Sequence, residues 1–251
     1  QPGDEVICPA FTFLATALAA LQHNAVPVFV DIDPVTFNIN PLKIEEKITP
    51  RTKAIIPVHI HGLPADMDEI LTIARRRNLI VIEDAAQAHG AEYRGRKAGT
   101  IGHMGAFSTQ ASKNLPSGEG GLFVTSDKKL RNAANMVRMF GEDLYDDTDV
   151  KMDKKHPLED AREYNSIMMG WMYRTTPMTA ALALSQLSRL ERTNRNARKN
   201  AAYLSPRLAC LPGITPPQTP DDRTHVFHKY RVRVNPRAMG FDVPARVMRD
   251  H

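Results

Sequence analysis

Between residues 4 and 127, short and nearly continuous apolar runs alternate with stretches of helical spacing. The apolar runs fall at 27–30, 54–59, 79–82, 106–108 and 122–125, and a further short strand follows the turn at Gly3-Asp4. Helical patterns lie between several of them, at 13–22, 41–48 and 65–77. Strands that are apolar on both faces and alternate with helices predict a mainly parallel sheet covered on both sides, an α/β three-layer sandwich. Pro64 followed by Asp66 suits the start of the third helix, and Asn78 after three arginines suits its end.

Further along, 128–140 reads as another helix, and 141–165 as a polar exposed excursion. Residues 176–208 carry Leu184, Leu187 and Leu190 at helical spacing with charges opposite, which predicts one long amphipathic helix, kinked near Pro206. The run 211–220 holds four prolines and reads as a linker, while 226–234 alternates like a half-buried strand. A helix pattern begins near Val243 and is still running at His251. The expected division is a large α/β domain over 1–208, then a linker and the beginning of a smaller α+β domain over 209–251. An opening at Gln1 and a close within a helix read as a piece of a longer protein.

Composition narrows the class. Of the 251 residues, 42% are hydrophobic and 24% charged, the mixture of a soluble globular protein. Two cysteines, Cys8 and Cys210, are too few for a disulfide framework and fit a reducing cytosol, so a cytoplasmic location is expected. No apolar run approaches the roughly 18 residues of a membrane span. The net charge is +5, but the cations are dispersed among acids. The clusters at 75–77 and 189–199 have no interleaved aromatic residues for base stacking, so nucleic-acid binding is not expected.

The candidate chemistry lies after two strands. Asp84 closes the run Leu79-Ile80-Val81-Ile82-Glu83-Asp84, where ligands of open α/β sheets bind; the same position equally suits a helix N-cap. Lys113 stands among small and hydroxyl residues just ahead of the glycine cluster at 118–121. A surface lysine is the ordinary reading, whereas a poorly solvated one has a lowered pKa and can condense with a carbonyl. Together, Asp84, Lys113 twenty-nine residues on, and Ser108 five residues before the lysine supply the parts that pyridoxal phosphate (PLP) needs. These are an amine, a carboxylate for the ring nitrogen and a phosphate donor. Two rivals are weaker. His59-Ile60-His61 with Glu83 or Asp84 could hold a metal, but no further ligand follows at a recognisable spacing. Gly99, Gly102 and Gly105 do not form a dinucleotide fingerprint.

The sequence resembles the DegT/DnrJ/EryC1/StrS family of PLP-dependent sugar aminotransferases, of aspartate aminotransferase-like fold type I. The matching stretches are 3–7, 9–16, 27–33, 57–59, 83–89, Phe107-Ser108 with Lys113, and 118–121. Gly170 with Tyr173-Arg174, Ala180-Ala181 and Gln186-Leu187 extend the match. The resemblance implies that Lys113 carries PLP and shuttles the proton, and that Asp84 pairs with the pyridine nitrogen. It further implies that Gln87 lies near the 3-hydroxyl, Ser108 binds phosphate, and Phe13 stacks on the ring with Thr12 beside it. Arg174 matches a stretch reaching the neighbouring subunit's site, so a homodimer is implied. Met172 stands where the family usually has asparagine. The family also has a phosphate-cradling turn upstream of Gly3 and substrate residues downstream of His251. The implied reaction moves an amino group from glutamate or glutamine to a keto-sugar, nucleotide-linked, or to a keto-cyclitol, in a ping-pong exchange. The alternative is a PLP-dependent sugar dehydratase or a non-catalytic PLP-binding member. In the dehydratases histidine replaces the lysine that is intact here at Lys113.

Overall fold

A computed structural model describes residues 1–142 and 166–240. In chain order the first elements are β1 (Glu5–Pro9), α1 (Ala15–Leu21), β2 (Val26–Val30), β3 (Thr52–Ile55), α2 (Met67–Arg77) and β4 (Ile80–Asp84). There follow β5 (Glu92–Tyr93), β6 (Arg96–Lys97), β7 (Met104–Ser108), β8 (Gly121–Val124) and α3 (Lys128–Val137). The last are α4 (Pro177–Leu187), α5 (Leu190–Ala209), β9 (Ile214–Thr215) and β10 (Arg233–Val234).

Six strands form one sheet in the order β2-β1-β3-β4-β7-β8. All neighbours run parallel except β7 and β8, which pair antiparallel from Gly105 opposite Val124 to Ser108 opposite Gly121. Adjacent residues of one strand point to opposite faces, and the apolar contacts divide accordingly. Ile7, Val30, Ile55 and Val81 join Met67, Ile70, Ile73 and Ala74 of α2 in the main core. Cys8 and Ile56, with Val6 and Ile82 beside them, pack against Ala17 of α1. This is the covered, mainly parallel sheet that the strand pattern predicts.

Several elements differ from the sequence expectation. Residues 41–48 form two 3₁₀ turns (Pro41–Lys43 and Glu45–Lys47), tied down between them by the fully buried Ile44. The long helix over 176–208 is two helices: α4 ends at Leu187, where the Ser188 hydroxyl donates to Ser185 O at 2.8 Å, and α5 begins at Leu190. Pro206 lies within α5, which continues to Ala209. No residue of α4 is buried, so Leu182, Leu184 and Leu187 face outward. Helix α3 stops at Val137, and Phe140 takes a left-handed φ of 59°. The expected strand over 226–234 shrinks to Arg233–Val234, paired with Ile214–Thr215 inside the predicted linker. Phe227 breaks that run with a φ of 47°, and Val226 is buried against Ala88, Ala91 and Ala98 instead. The polar excursion beyond Glu142 and the helix near Val243 lie outside the described residues.

The segment before Val226 is held by a dense polar contact. The Arg223 side chain, 4% exposed, pairs with Asp66 and Asp222 at 2.7 Å each. It donates to Pro64 O at 2.9 Å, and its guanidinium lies 4.7 Å from the ring centre of the fully buried Tyr93. Arg94 bridges Asp68 and Asp222, and Arg96 also pairs with Asp68. A buried arginine persists only when its donors are met, and here they fix where the chain carrying His225 and His228 crosses the sheet domain.

Gly99, Gly102 and Gly105 bring a loop against β4 and β7. A Cβ on Gly105 would stand 2.0 Å from Gly99 O, and one on Gly102 would stand 2.9 Å from Val81 O. Gly105→Ala is therefore expected to destabilise the fold by about 3 kcal/mol or to prevent folding. Gly95→Ala, with open space around the added carbon but a φ of +75°, should cost less. Chemical denaturation of the two variants checks the order.

Candidate functional site

Asp84 is the last residue of β4, flanked on one side by β7, where it lies opposite Ala106. On the other side it faces Val58, and its carbonyl accepts from His59 N at 3.0 Å. Its carboxylate is bound by neutral donors. Thr16 Oγ1 donates to Oδ2 at 2.7 Å, and Ala86 N donates to Oδ1 at 3.1 Å. Because Thr16 spends its hydrogen on Asp84, the 2.8 Å contact between Thr12 and Thr16 must have Thr12 as donor. A two-hydroxyl chain from the start of α1 thus orients the acid.

Lys113 follows β7 in a turn closed by its own N–H to Gln110 O at 2.9 Å. Burial lowers its pKa, Asp84 opposes that shift, and Lys229 reinforces it. The amine and the Asp84 carboxylate therefore share one neighbourhood, reached from β4 and from the loop beyond β7. Gln87 Oε1 accepts from His61 N at 2.7 Å, which leaves the Gln87 amide hydrogens as donors. Ser108 ends β7 half-buried, its Oγ accepting from Gln110 N at 3.3 Å.

The other two expected residues stand apart. The Phe13 side chain is not core; the residue is 71% exposed just ahead of α1, the helix that carries Thr16. Arg174 is exposed, and its recorded side-chain contact is from Nε to Met172 Sδ at 3.3 Å. Among the described residues no hydrogen bond joins Arg174 to Asp84 or Lys113. Its segment packs on the end of α3, with Trp171 N bonded to Val137 O and Tyr173 N to Arg138 O.

Four histidines surround this region and were not singled out for it by the sequence. Burial brings His61, His89 and His228 from 6.5 to about 4, with nearby cations adding to the effect. It brings His225 to about 3. His89 is 3% exposed, its ring 5.2 Å from that of Phe107, and neither ring nitrogen has a hydrogen-bond partner among the described residues. Buried polar atoms of that kind are uncommon, and here they adjoin the strand that leads to Lys113. Thr16 could have been found from its spacing four residues after Thr12 at a helix start, and His89 from its place in the run after Asp84.

His59 and Glu83 form a separate, fully buried pair at 2.8 Å. Ala65 N donates to His59 Nδ1 at 3.0 Å, so Nε2 carries the proton and gives it to Glu83. Glu83 also accepts from Gly99 N at 2.7 Å and from Ile101 N and Gly102 N at 2.5 Å. Burial alone would raise its pKa; His59 and the loop amides outweigh that and lower it. Both nitrogens of His59 are engaged, which removes the metal pair with His61 that the alternate histidines suggested.

The sequence profile of the DegT/DnrJ/EryC1/StrS aminotransferase family matches residues 1–249. The chain belongs to this family. It is 41% identical over 235 residues to the pleiotropic regulatory protein of Geobacillus stearothermophilus, covering 92% of this chain and 58% of that protein. It is equally 41% identical over 234 residues to the GDP-perosamine synthase of Caulobacter vibrioides, covering 93% and 59%. The crystal structure of S. venezuelae DesV with a ketimine intermediate superposes with a TM-score of 0.83 at 39% identity, covering 93% of this chain and 58% of that one. The fold is therefore the expected α/β sandwich of type I. The chain spans just under three-fifths of the length of these relatives.

The residues present suit the family's PLP: an amine of lowered basicity, a carboxylate that among the described residues is hydrogen-bonded by neutral donors, and the Gln87 amide and Ser108 hydroxyl.

The histidines make a prediction about acid. Their folded pKa values lie below 6.5, so the unfolded chain takes up protons that the fold refuses. Their contribution is complete above about pH 6.5 and is lost progressively as pH falls towards 4, the range that the four depressed values set. Thermal unfolding across pH 4–7 should show Tm falling in this window, and His225→Gln should flatten the fall. A Tm independent of pH there would contradict the assignment.

Proposed function

We propose that the full protein is a PLP-dependent aminotransferase that moves an amino group from glutamate or glutamine to a keto-sugar, nucleotide-linked. A keto-cyclitol is the alternative acceptor. The observation that carries this reading is Lys113, its basicity lowered by burial, beside Asp84 at the carboxyl end of β4. When bound, PLP supplies an aldehyde for an amine and a ring that accepts the electron pair released from carbon.

The chain's own residues then have distinct tasks. Lys113 Nζ holds the cofactor covalently between turnovers. Once displaced by the amino donor, the same nitrogen would move a proton from the donor's Cα to the cofactor's C4′ carbon, and in the other half-reaction from C4′ to the acceptor's carbon. Lowered basicity raises the unprotonated share of Nζ, the form able to act as that base. Asp84, steered by Thr16 and Thr12, would pair with the ring nitrogen and favour its protonated form. The Gln87 amide suits the ring's 3-oxygen, Ser108 the phosphate, and the exposed Phe13 ring a stacking position above the cofactor. Arg174, turned outward in this chain, suits the site of a second copy in a homodimer. The two substrates use one site in turn, a ping-pong order. The family membership and the likeness to the Caulobacter synthase support transamination.

The Geobacillus relative's name favours testing a second reading, a PLP-binding regulator without turnover. The full-length protein loaded with PLP should be trapped by borohydride, and peptide mass mapping should place the modification on Lys113. Lys113→Ala should abolish that attachment and lower amino transfer to keto-sugars by at least about 10²–10⁴-fold. Asp84→Ala should keep the attachment and lose most of the turnover. Attachment at another lysine refutes the site, and attachment without amino transfer to any keto-sugar or keto-cyclitol favours the regulator.

A further inference from the structure

A chain of side-chain amides runs beside Lys113, and the direction of every hydrogen bond in it is fixed by its ends. Asn194, fully buried on α5, gives Nδ2–H to the main-chain carbonyl of His89 at 2.8 Å. A carbonyl can only accept, so Asn194 turns its Oδ1 the other way. That oxygen accepts from Asn114 Nδ2 at 3.0 Å, and Asn114 Nδ2 also gives to the carbonyl of Val226 at 3.2 Å. With both amide hydrogens of Asn114 used, its Oδ1 must accept. The partner of that oxygen is His228 Nδ1, at 3.0 Å. His228 therefore carries its hydrogen on Nδ1.

The ring is neutral at ordinary pH. Burial depresses its pKa to about 4, and Lys113 and Lys229 act in the same direction. His61 and His89, the other titratable rings that feel it, are held neutral as well. A neutral imidazole protonated on Nδ1 has a bare lone pair on Nε2. The segment bearing it is pinned by Val226 N to Gly62 O at 3.0 Å, and a side chain on Gly62 would collide with Val226. The chain of amides thus joins four separate stretches around the residue next to Lys113.

We propose that Asn114 is a positioning residue that locks His228 in the Nδ1–H tautomer, so that Nε2 accepts a hydrogen bond from a hydroxyl or ammonium group of the ligand bound at Lys113. The tautomer follows from the contacts alone; the ligand half of the statement rests on the reading of Lys113 as the reaction centre. A neutral hydrogen bond of this kind contributes up to about a tenfold preference.

Histidine-selective ¹⁵N labelling of the full-length protein reads the tautomer without substrate or turnover. The expected spectrum near pH 7 has His228 protonated on Nδ1 and bare on Nε2, and Asn114→Ala should give a mixture of tautomers. A wild-type ring protonated on Nε2 overturns the lock, whether or not the Asn114 variant folds. The accepting role is read with His228→Gln, which keeps an oxygen acceptor near the former Nε2, and His228→Asn, which keeps only the donor to Asn114. With cofactor attachment at Lys113 verified in both, kcat/KM for the amino acceptor should be about tenfold lower in His228→Asn. Equal values overturn the accepting role. Failure of the wild-type protein to attach PLP at Lys113 would instead sink the proposed function and leave the tautomer result standing.

Discussion

Glu83 has no exposed surface, yet it is surrounded by donors from two separate places in the chain. His59 approaches from the end of β3, and the amides of Gly99, Ile101 and Gly102 approach from the loop before β7. An uncompensated buried carboxylate costs several kcal/mol, so the loop is held in the one arrangement that meets it. The packed glycines allow that loop to come close enough. Asp84 is the next residue, so the same constraint sets where β4 ends and which way the neighbouring acid points. Side chains alternate along a strand: Glu83 is turned into the structural pair, and Asp84 towards Thr16 and Lys113.

The candidate site is assembled by elements that share little sequence proximity. Strand β4 gives Asp84, the turn after β7 gives Lys113, and α1 with the turn before it supplies the hydroxyls of Thr16 and Thr12. The crossing chain after Arg223 brings His225 and His228. The ion pairs of Arg223 with Asp66 and Asp222 are remote from Lys113 along the chain, but they determine whether that crossing chain lies against the sheet domain. Placement of the histidines is in this sense a result of the contacts around Tyr93.

The sequence carried the sheet domain well because the central strands hold short apolar runs, such as Val6–Cys8, Ala54–Ile56 and Ile80–Ile82, and α2 has an apolar face. Asp84 and Lys113 were legible because a carboxylate at a strand end and a lysine among small residues are unusual surroundings for charge. Thr16 was hidden inside an apolar run, where a threonine reads as filler. The amide chain was not legible at all. Asn114 meets partners 80 and 114 residues away, and nothing in the local pattern of an asparagine announces them. The division between α4 and α5 spans only Ser188 and Arg189, too short an interruption to show against a regular leucine spacing. The outward apolar face of α4 was invisible for another reason: periodicity shows that a face is apolar and says nothing about what lies opposite.

His59 and His228 are both held in a single tautomer, by opposite means. A carboxylate partner brings a full charge to the contact, and that attraction varies with the ionisation of the acid. An amide oxygen is a weaker attractor and has no ionisation of its own. Asn114 therefore orients His228 with far less pull on its proton affinity. Replacing that amide by a carboxylate would preserve the outline of the contact while converting a neutral acceptor into a cation beside the amine of Lys113.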